Sequence, residues 1–512
     1  MRIEGCDFEL SRIAGAVAAW RATVDAAQWR EACRRAAANG GRLVALWGSD
    51  EADAGKGYAI HAALFTGEGL MIVTVPAPDG RYPAIDDIFP AANRMQRALR
   101  DLLGCVAEAA PDERPWLRHA AWPAGVFPLR KSCDAAQKFT AGPDQYAFVQ
   151  VGGEGVHEIP VGPVHAGTIE PGHFRFSVVG ERVLRLEERL GYKHKGIEKR
   201  FEQLDLSQGA YLAGRVSGDS TVTYAWAYAM AVESATGVTP PPRALWLRAL
   251  MLERERIANH LGDLGFLGND AGLAFGLAQF SRLKEDVLRL NRQVFGHRYL
   301  MDVVVPGGVA RDPDGDGMRR IHDECDVLET AVGVLKNIYD EHAGLQDRFI
   351  TCGRVAPELA ARLGLIGLAG RASGQAWDLR VEHPCVPYGE LEVRMATHRN
   401  GDVAARVTVR FEEIFESLRL VRLILERMPL GEVMVPLPAA AEGAFGIGWV
   451  EGWRGEVFIA LEADGNRIRR LHPHDPSWQN WPLLEHAVLG NIVPDFPLIN
   501  KSFNLSYAGH DL

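Results

Sequence analysis

The stretch "AGRVSGDSTVTYAWAYAMAVESATG", residues 213–237, decides how the chain is read. Its second half is a run of alanines and aromatics and reads as a helix. Its first half places Arg215, Ser217, Asp219 and Ser220 at the head of that otherwise apolar segment. An arginine and an aspartate there are costly to bury unpaired, so they are solvated, paired or part of a site.

Two loop-rich stretches precede it. "GPVHAGTIEPGHFRF" (162–176) sets His165, Glu170 and His173 in a glycine- and proline-rich segment. Close-set ionisable groups in a loop make a candidate site, and a solvated turn is the alternative. "GYKHKGIEKRFE" (191–202) carries His194, Lys195, Glu198 and Lys199, which also fits a solvated helix start laced with ion pairs. After it, "LERERIANHLGDLG" (252–265) places Glu253, Arg256 and His260 at i, i+3 and i+7, on one helical face. That stripe is either a buried polar network or the boundary face of a half-buried helix.

Around these stretches the chain is ordinary globular protein. It has 512 residues, 47% hydrophobic and 24% charged, enough to bury a large core in two or more domains. A net charge of −10 and a pI near 5.9 argue against binding driven by phosphate contacts to nucleic acid. No apolar run approaches the roughly 20 residues that span a bilayer. The N-terminal "MRIEGCDFEL" has no apolar signal core, so a cytoplasmic location is expected. Seven cysteines, among them Cys6, are scattered without a CxxC pair, which fits reduced thiols and gives no iron–sulfur or zinc site. Neither the dinucleotide-binding GxGxxG nor the P-loop is present. "DPDGDGMRR" (312–320) lacks the closing acid of a calcium loop and reads as a turn.

The pattern predicts an α+β fold. Residues 1–131 mix β-like runs ("GRLVALWG", "YAIHAALFT", "LMIVTVPAP") with helical patches at 12–38 and 91–104. Residues 132–158 read as a linker that ends in a β-like "YAFVQVG". The remainder, 159–512, reads as mainly helical with peripheral hairpins: one over 173–190, one over 445–470 with a "DGN" turn. Helix is expected over 203–236, 247–264, 277–298, 318–346 and 411–428, and extended chain over 375–397 and 402–411.

Several motifs together carry a resemblance. "GPVHAGTIEPGHFRF", "GYKHKGIEKRFE", "LERERIANH", "VPGGVARD", "GRASGQAWDLR" and "DPSWQNWPLLEHAVLGNIVPDFPLINKSF" run in the order found in the large subunit of membrane-bound, energy-converting [NiFe]-hydrogenases and formate hydrogenlyase. That family is sibling to the quinone-site subunit of respiratory complex I. "YPAIDDIFPAANRMQRALRDLLG" (82–104) and "FPLRK" (127–131) resemble complex I's small companion subunit. The resemblance implies a small α/β domain fused to a hydrogenase-large-subunit-like domain. It implies an oxidoreductase subunit of the hydrogenase or NADH:quinone oxidoreductase kind. Its partners would be an iron–sulfur subunit and ion-translocating membrane subunits. The setting is NAD-linked or quinone-linked electron transport, peripheral on the cytoplasmic face of the inner membrane. A non-catalytic coupling module of such a complex is the alternative.

The family's four nickel thiolates do not recur. Its R-x-C-x-x-C run reads "RVSGDS", with Ser217 and Ser220 at the cysteine positions. Its C-terminal D-P-C-x-x-C-T-D run reads "NLSYAGHD", with Ser506 and Gly509 there. The complex I branch's tyrosine falls at Gly218, and its loop histidine falls at Ile169 or His173. Hydroxyls do not replace thiolates on a soft nickel–iron centre, so no nickel, and no cofactor held by this chain alone, is expected, with quinone as a possible ligand. The family fold implies that the C-terminal segment returns to the first motif. The chain would then end inside its core at Leu512, with no extension left to remove. The expected site is a protonatable cluster of Asp219 against His510, with Arg215, Glu170 and Asp511 nearby, the first two titrating near neutral pH. Trp478, Trp481 and Phe496 are expected to be partly exposed for partner subunits, so that the isolated chain is poorly soluble.

Overall fold

The computed structural model describes residues 8–165 and 169–512. Cys6, most of the N-terminal signal-free stretch and Gly167 lie outside the described residues. The N-terminal part is a five-stranded sheet ordered Ser11–Arg12, Ala19–Thr23, Leu70–Ala77, Tyr58–Phe65, Arg42–Asp50. Ala19–Thr23 runs parallel to Leu70–Ala77 and the other pairs are antiparallel. Helices Ala26–Ala38 and Ala92–Leu103 cover it. The first is fixed by a capping box, Asp25 accepting from the Ala27 and Gln28 amides. The expected helix over 12–38 is therefore helical only from Ala26, and residues 11–12 and 19–23 are strand.

The larger part is built on helices Thr221–Thr236, Pro242–Asp270, Ala274–Phe295, Gly315–Glu341 and Val403–Arg427. Asp314 caps the fourth through the Gly317 amide, so the "DPDGDG" turn is a helix start. The span expected to be one helix over 203–236 breaks into Leu206–Ala213 and Thr221–Thr236, and Arg215–Ser220 forms the irregular turn between them. The stretch 402–411, expected to be extended, contains "VAARVTVRF" (403–411), which is rich in β-branched residues. It is helical: Asp402 accepts from the Ala405 amide, and Arg406 and Arg410 are buried on the inner face. Packing overrides propensity here. "YAFVQVG" forms no strand, and 375–397 is irregular with short turns Leu379–Glu382 and Tyr388–Glu390.

The expected C-terminal hairpin is a three-stranded antiparallel sheet: Ala440–Glu451, Glu456–Gly465, Arg467–His474. Its first strand lies directly on the Thr221–Thr236 helix. A Cβ at Gly446 would sit 2.0 Å from the Ala231 carbonyl oxygen, and one at Gly448 only 1.8 Å from that of Ala227. Alternate strand residues rise about 6.7 Å and residues four apart on a helix about 6 Å, so the two repeats match. The alanines of "YAWAYAMA" (224–231) are the floor on which the glycine strand rests. One continuous hydrophobic cluster runs from Trp29 on the Ala26–Ala38 helix through the larger part's helices to Leu512. Trp478, Trp481 and Phe496, expected to be partly exposed, are inside it at 4%, 0% and 7%. Exposed apolar surface sits elsewhere, at Phe266, Phe275, Val327 and Leu430.

Candidate functional site

The turn Arg215–Ser220 meets the final helix, Tyr507–Asp511. Ser217 Oγ lies 2.9 Å from Ser506 Oγ and 2.8 Å from Asp219 Oδ1. Asp219 as a carboxylate only accepts, so the Ser217 hydroxyl donates to it. The Ser506 hydroxyl then donates to Ser217 and accepts from the Gly509 amide at 2.9 Å. Ser220 Oγ closes the group at 3.2 Å from Asp219 Oδ1.

Arg454 supplies the charge. Its Nη2 donates to Asp219 Oδ2 at 2.6 Å and its Nη1 to Ser220 Oγ at 3.2 Å. The arginine is placed by a chain of buried contacts. Arg256 donates to the carbonyls of Glu451 and Gly452, which fixes the turn between the first two C-terminal strands. That turn presents Trp453, whose Nε1 donates to the Asp219 carbonyl at 2.9 Å, and then Arg454. Loss of hydration would raise the Asp219 carboxyl, but Arg454 and the two serines outweigh it and hold it below the ordinary carboxylate range. With 41% of its side-chain surface still exposed, the ion pair rather than dehydration decides its state.

The fourth ligand position is closed by shape. A Cβ at Gly509 would lie 2.3 Å from Asp475 Oδ2 and 2.9 Å from Tyr224 Oη. Those two atoms are themselves hydrogen-bonded at 2.6 Å. Three hydroxyls, a carboxylate, an arginine cation and a filled fourth position do not fit a nickel–iron centre, whose soft metals take thiolates.

The expected pairing of Asp219 with His510 is not formed. His510 is fully buried, bonds Asp511 Oδ1 through Nδ1 at 2.8 Å, and stacks on Trp478 at 4.1 Å. Burial lowers its pKa despite Asp511, so it stays neutral. Neither member of the expected pair is therefore set to titrate near neutral pH: an arginine holds one down and dehydration the other. Asp511 is a structural tie, accepting from the Gly191 and Lys193 amides at 2.8 and 2.9 Å. Glu170 does reach the last motif, accepting from the Ala508 amide at 3.0 Å. Arg215 turns away to a surface pair with Asp302 at 2.5 and 2.7 Å. His165 and His173 close their own loop, on the Gly172 and Gly162 carbonyls at 2.8 and 3.3 Å.

Glu255 escaped the sequence reading. It lies two residues off the Glu253–Arg256–His260 stripe and accepts from the Val222 and Thr223 amides and the Thr223 hydroxyl, at 2.6, 3.2 and 2.7 Å. Burial raises it to about 7, against those donors. With Asp219, Asn259 and Lys284 it lines a cavity of about 20 Å³, room for one water. Arg454 and Asp475 were also missed, because each sits in a turn with no periodicity to mark it. The stripe itself is a buried network. Glu253 accepts from Arg380, Tyr388 and Ser417, and His260 bonds Glu413 at 2.7 Å.

The profile of the respiratory-chain NADH dehydrogenase 30 Kd subunit matches residues 22–139, and that of the 49 Kd subunit matches residues 270–444. Formate hydrogenlyase subunit 5 of Escherichia coli (strain K12) is 32% identical over 483 residues, which cover 92% of this chain and 85% of that protein. Hydrogenase-4 component G of the same strain is 31% identical over 481 residues, covering 92% and 84%. In a solved structure of the membrane-bound sulfane sulfur reductase, an archaeal respiratory membrane complex, one chain is 26% identical with a TM-score of 0.66, covering 70% of this chain and 99% of that one. The chain belongs to the family of formate hydrogenlyase subunit 5 and hydrogenase-4 component G, in which modules of the 30 Kd and 49 Kd NADH dehydrogenase type are joined in one polypeptide.

Proposed function

We propose that the chain is the large-subunit module of a membrane-attached oxidoreductase complex and that it works without a nickel–iron centre of its own. The carrying observation is the meeting of Ser217 with Ser506 at 2.9 Å, which joins the two family motifs through hydroxyls instead of thiolates. The relatives' names point to formate hydrogenlyase, hydrogenase-4 and an archaeal respiratory membrane complex. Among the described residues no helix is long and apolar enough to cross a membrane. In this reading the chain attaches through partner subunits at the cytoplasmic face. An iron–sulfur partner delivers electrons, and the membrane partners move ions. We divide the chain into a companion-subunit-like domain over 1–131, a linker over 132–158 and the large-subunit domain over 159–512.

In this reading the chain's own residues manage a proton. Glu255 holds it beside the amide end of the Thr221–Thr236 helix, next to the water-sized cavity that Asp219 shares. Ser506, Ser217 and Asp219 form a one-way hydroxyl row that meets this cavity only at Asp219. A second reading is a non-catalytic coupling module, favoured by how fully Asp475 and Tyr224 fill the position of the fourth ligand. Steady-state assays on the purified complex separate the two. Turnover with a quinone or sulfane-sulfur acceptor that collapses in Glu255→Gln, with assembly intact, supports the catalytic reading. Turnover unchanged in that variant supports coupling alone.

A further inference from the structure

A second polar site lies far from the serines, where the N-terminal sheet meets the C-terminal one. It is a cavity of about 640 Å³ lined by Arg21, His61, Thr74, Glu51, Lys56 and Glu462 among others. Among the described residues, Glu51, His61 and Glu462 are the only His, Cys, Asp or Glu group whose ligand atoms converge, all within 4.8 Å of one another. Glu51 follows the strand Arg42–Asp50, His61 stands on its antiparallel partner Tyr58–Phe65, and Glu462 stands on Glu456–Gly465 of the other sheet.

Glu462 is the unusual member. Its side chain is half-buried and has no hydrogen bond or ion pair among the described residues, and loss of hydration and the neighbouring Glu51 push its carboxyl upward. The nearest cations are committed elsewhere: Arg469 and Lys131 to Asp53, Arg470 to Glu198. Lys56 and Arg21 reach the cavity wall, but Lys56 stands out in solvent and Arg21 lies over the Phe445 ring. Two carboxylates thus face each other across a polar cavity whose lining cations, Arg21, Lys56 and Arg469, form no ion pair with either.

His61 is prepared as a ligand. It is 4% exposed, and burial with Arg470 and His472 nearby holds it down to about 3, so its lone pair is not lost to a proton. Its Nδ1 lies 2.9 Å from Thr74 Oγ1, the kind of outer hydrogen bond that fixes the ring and tautomer of a metal-bound imidazole. Its Nε2 donates to the Ser49 hydroxyl at 3.0 Å, which in turn donates to Glu51 Oε1 at 3.0 Å, so an ion taken at Nε2 moves the ring proton to Nδ1, where Thr74 Oγ1 accepts it. The hydroxyl now bridges the two groups that an ion would bridge.

We propose that Glu51, His61 and Glu462 bind one first-row divalent cation, of the Mn²⁺ or Zn²⁺ kind, which ties the two modules of the chain together. Two carboxylates and a neutral imidazole carry two negative charges, matching the ion. One nitrogen and no sulfur favour such metals over Mg²⁺ and over Cu(I). Bond lengths of about 2.0–2.2 Å require the glutamates to close by about 1 Å, within reach of their side-chain torsions, as Ser49 rotates aside.

The test uses the purified full-length chain in its complex, stripped with a chelator and titrated with Mn²⁺ alone, free Mn²⁺ being read by electron paramagnetic resonance. A single saturable equivalent per chain is expected, displaced by Zn²⁺ and not by excess Mg²⁺. Glu462→Gln and His61→Gln each weaken it at least about tenfold, whereas Glu442→Gln, on the same cavity wall, does not. Mn²⁺ also raises the melting temperature of the wild type and not of Glu462→Gln. If His61→Gln does not assemble, Glu51→Gln at the solvent side takes its place. Absence of saturable binding, equal binding in the triad variants, or displacement by Mg²⁺ overturns the proposal.

Discussion

Ser217 and Ser506 are 289 residues apart in sequence and 2.9 Å apart in space. Their contact marks where the family's two ligand motifs converge, and nothing there is soft enough for nickel. Elemental analysis of the purified protein is expected to find no stoichiometric nickel; about one nickel per chain would overturn this. Restoring thiols does not rescue the site, because Gly509→Cys drives its Cβ into Asp475 and Tyr224. That substitution costs about 1–3 kcal/mol by overpacking, read as a lower thermal midpoint.

Glu255 gives the site a pH signature. Its folded pKa of about 7 stands above the roughly 4.3 of an unfolded glutamate. The folded state therefore binds more protons between those values, and stability falls as pH rises through the window. The whole effect is on the order of 3 kcal/mol. In Glu255→Gln this slope is expected to vanish, so the variant gains on the wild type from pH 5 to pH 8. Parallel denaturation curves across that range would refute the assignment.

Much of the fold was legible because its signals are local. The strands Arg42–Asp50, Tyr58–Phe65 and Leu70–Ala77 follow apolar runs, and Gly465 at φ +58° makes the "DGN" turn. The motif residues Ser217, Ser506 and Glu170 were found and do converge. Side-chain partners were not legible, because they depend on which distant turn arrives. Asp219 takes Arg454 from a turn 235 residues away, and Arg215 takes Asp302 from another loop. The same holds for "VAARVTVRF", whose β-branched residues favour a strand until Asp402 caps a helix and Arg410 pairs with buried Asp263.

The glycine strand makes a steric prediction. Gly448→Ala places a methyl 1.8 Å from the Ala227 carbonyl oxygen, an atom of helix backbone that cannot rotate aside. The sheet must lift from the Thr221–Thr236 helix, which also shifts Arg454 away from Asp219. A loss of at least about 1–3 kcal/mol is expected in chemical denaturation. Gly443→Ala on the same strand meets nothing within 4 Å, but its positive φ of 64° adds backbone strain, so a smaller loss is expected there. Equal losses at the two positions would contradict the close-approach argument.

The last prediction concerns Glu198, from the "GYKHKGIEKRFE" stretch. It was open to reading as a surface ion pair, yet it is 5% exposed and bonded to Arg470 at 2.7 Å and His472 at 2.8 Å. Burial alone would raise its carboxyl, but Arg470 and His472 outweigh that and hold it at about 2. Its folded pKa is therefore depressed below the unfolded value of about 4.3. The stabilisation is present above that value and is lost as pH falls toward 2. Arg470→Met leaves the carboxylate buried with only a neutral-leaning imidazole beside it, and is expected to cost about 3–5 kcal/mol at pH 7. Adding Glu198→Gln removes the stranded charge and should recover part of that loss. Chemical denaturation at pH 7 and pH 3 checks both statements. A double variant no more stable than Arg470→Met alone would mean that the arginine acts through packing rather than through the charge of Glu198.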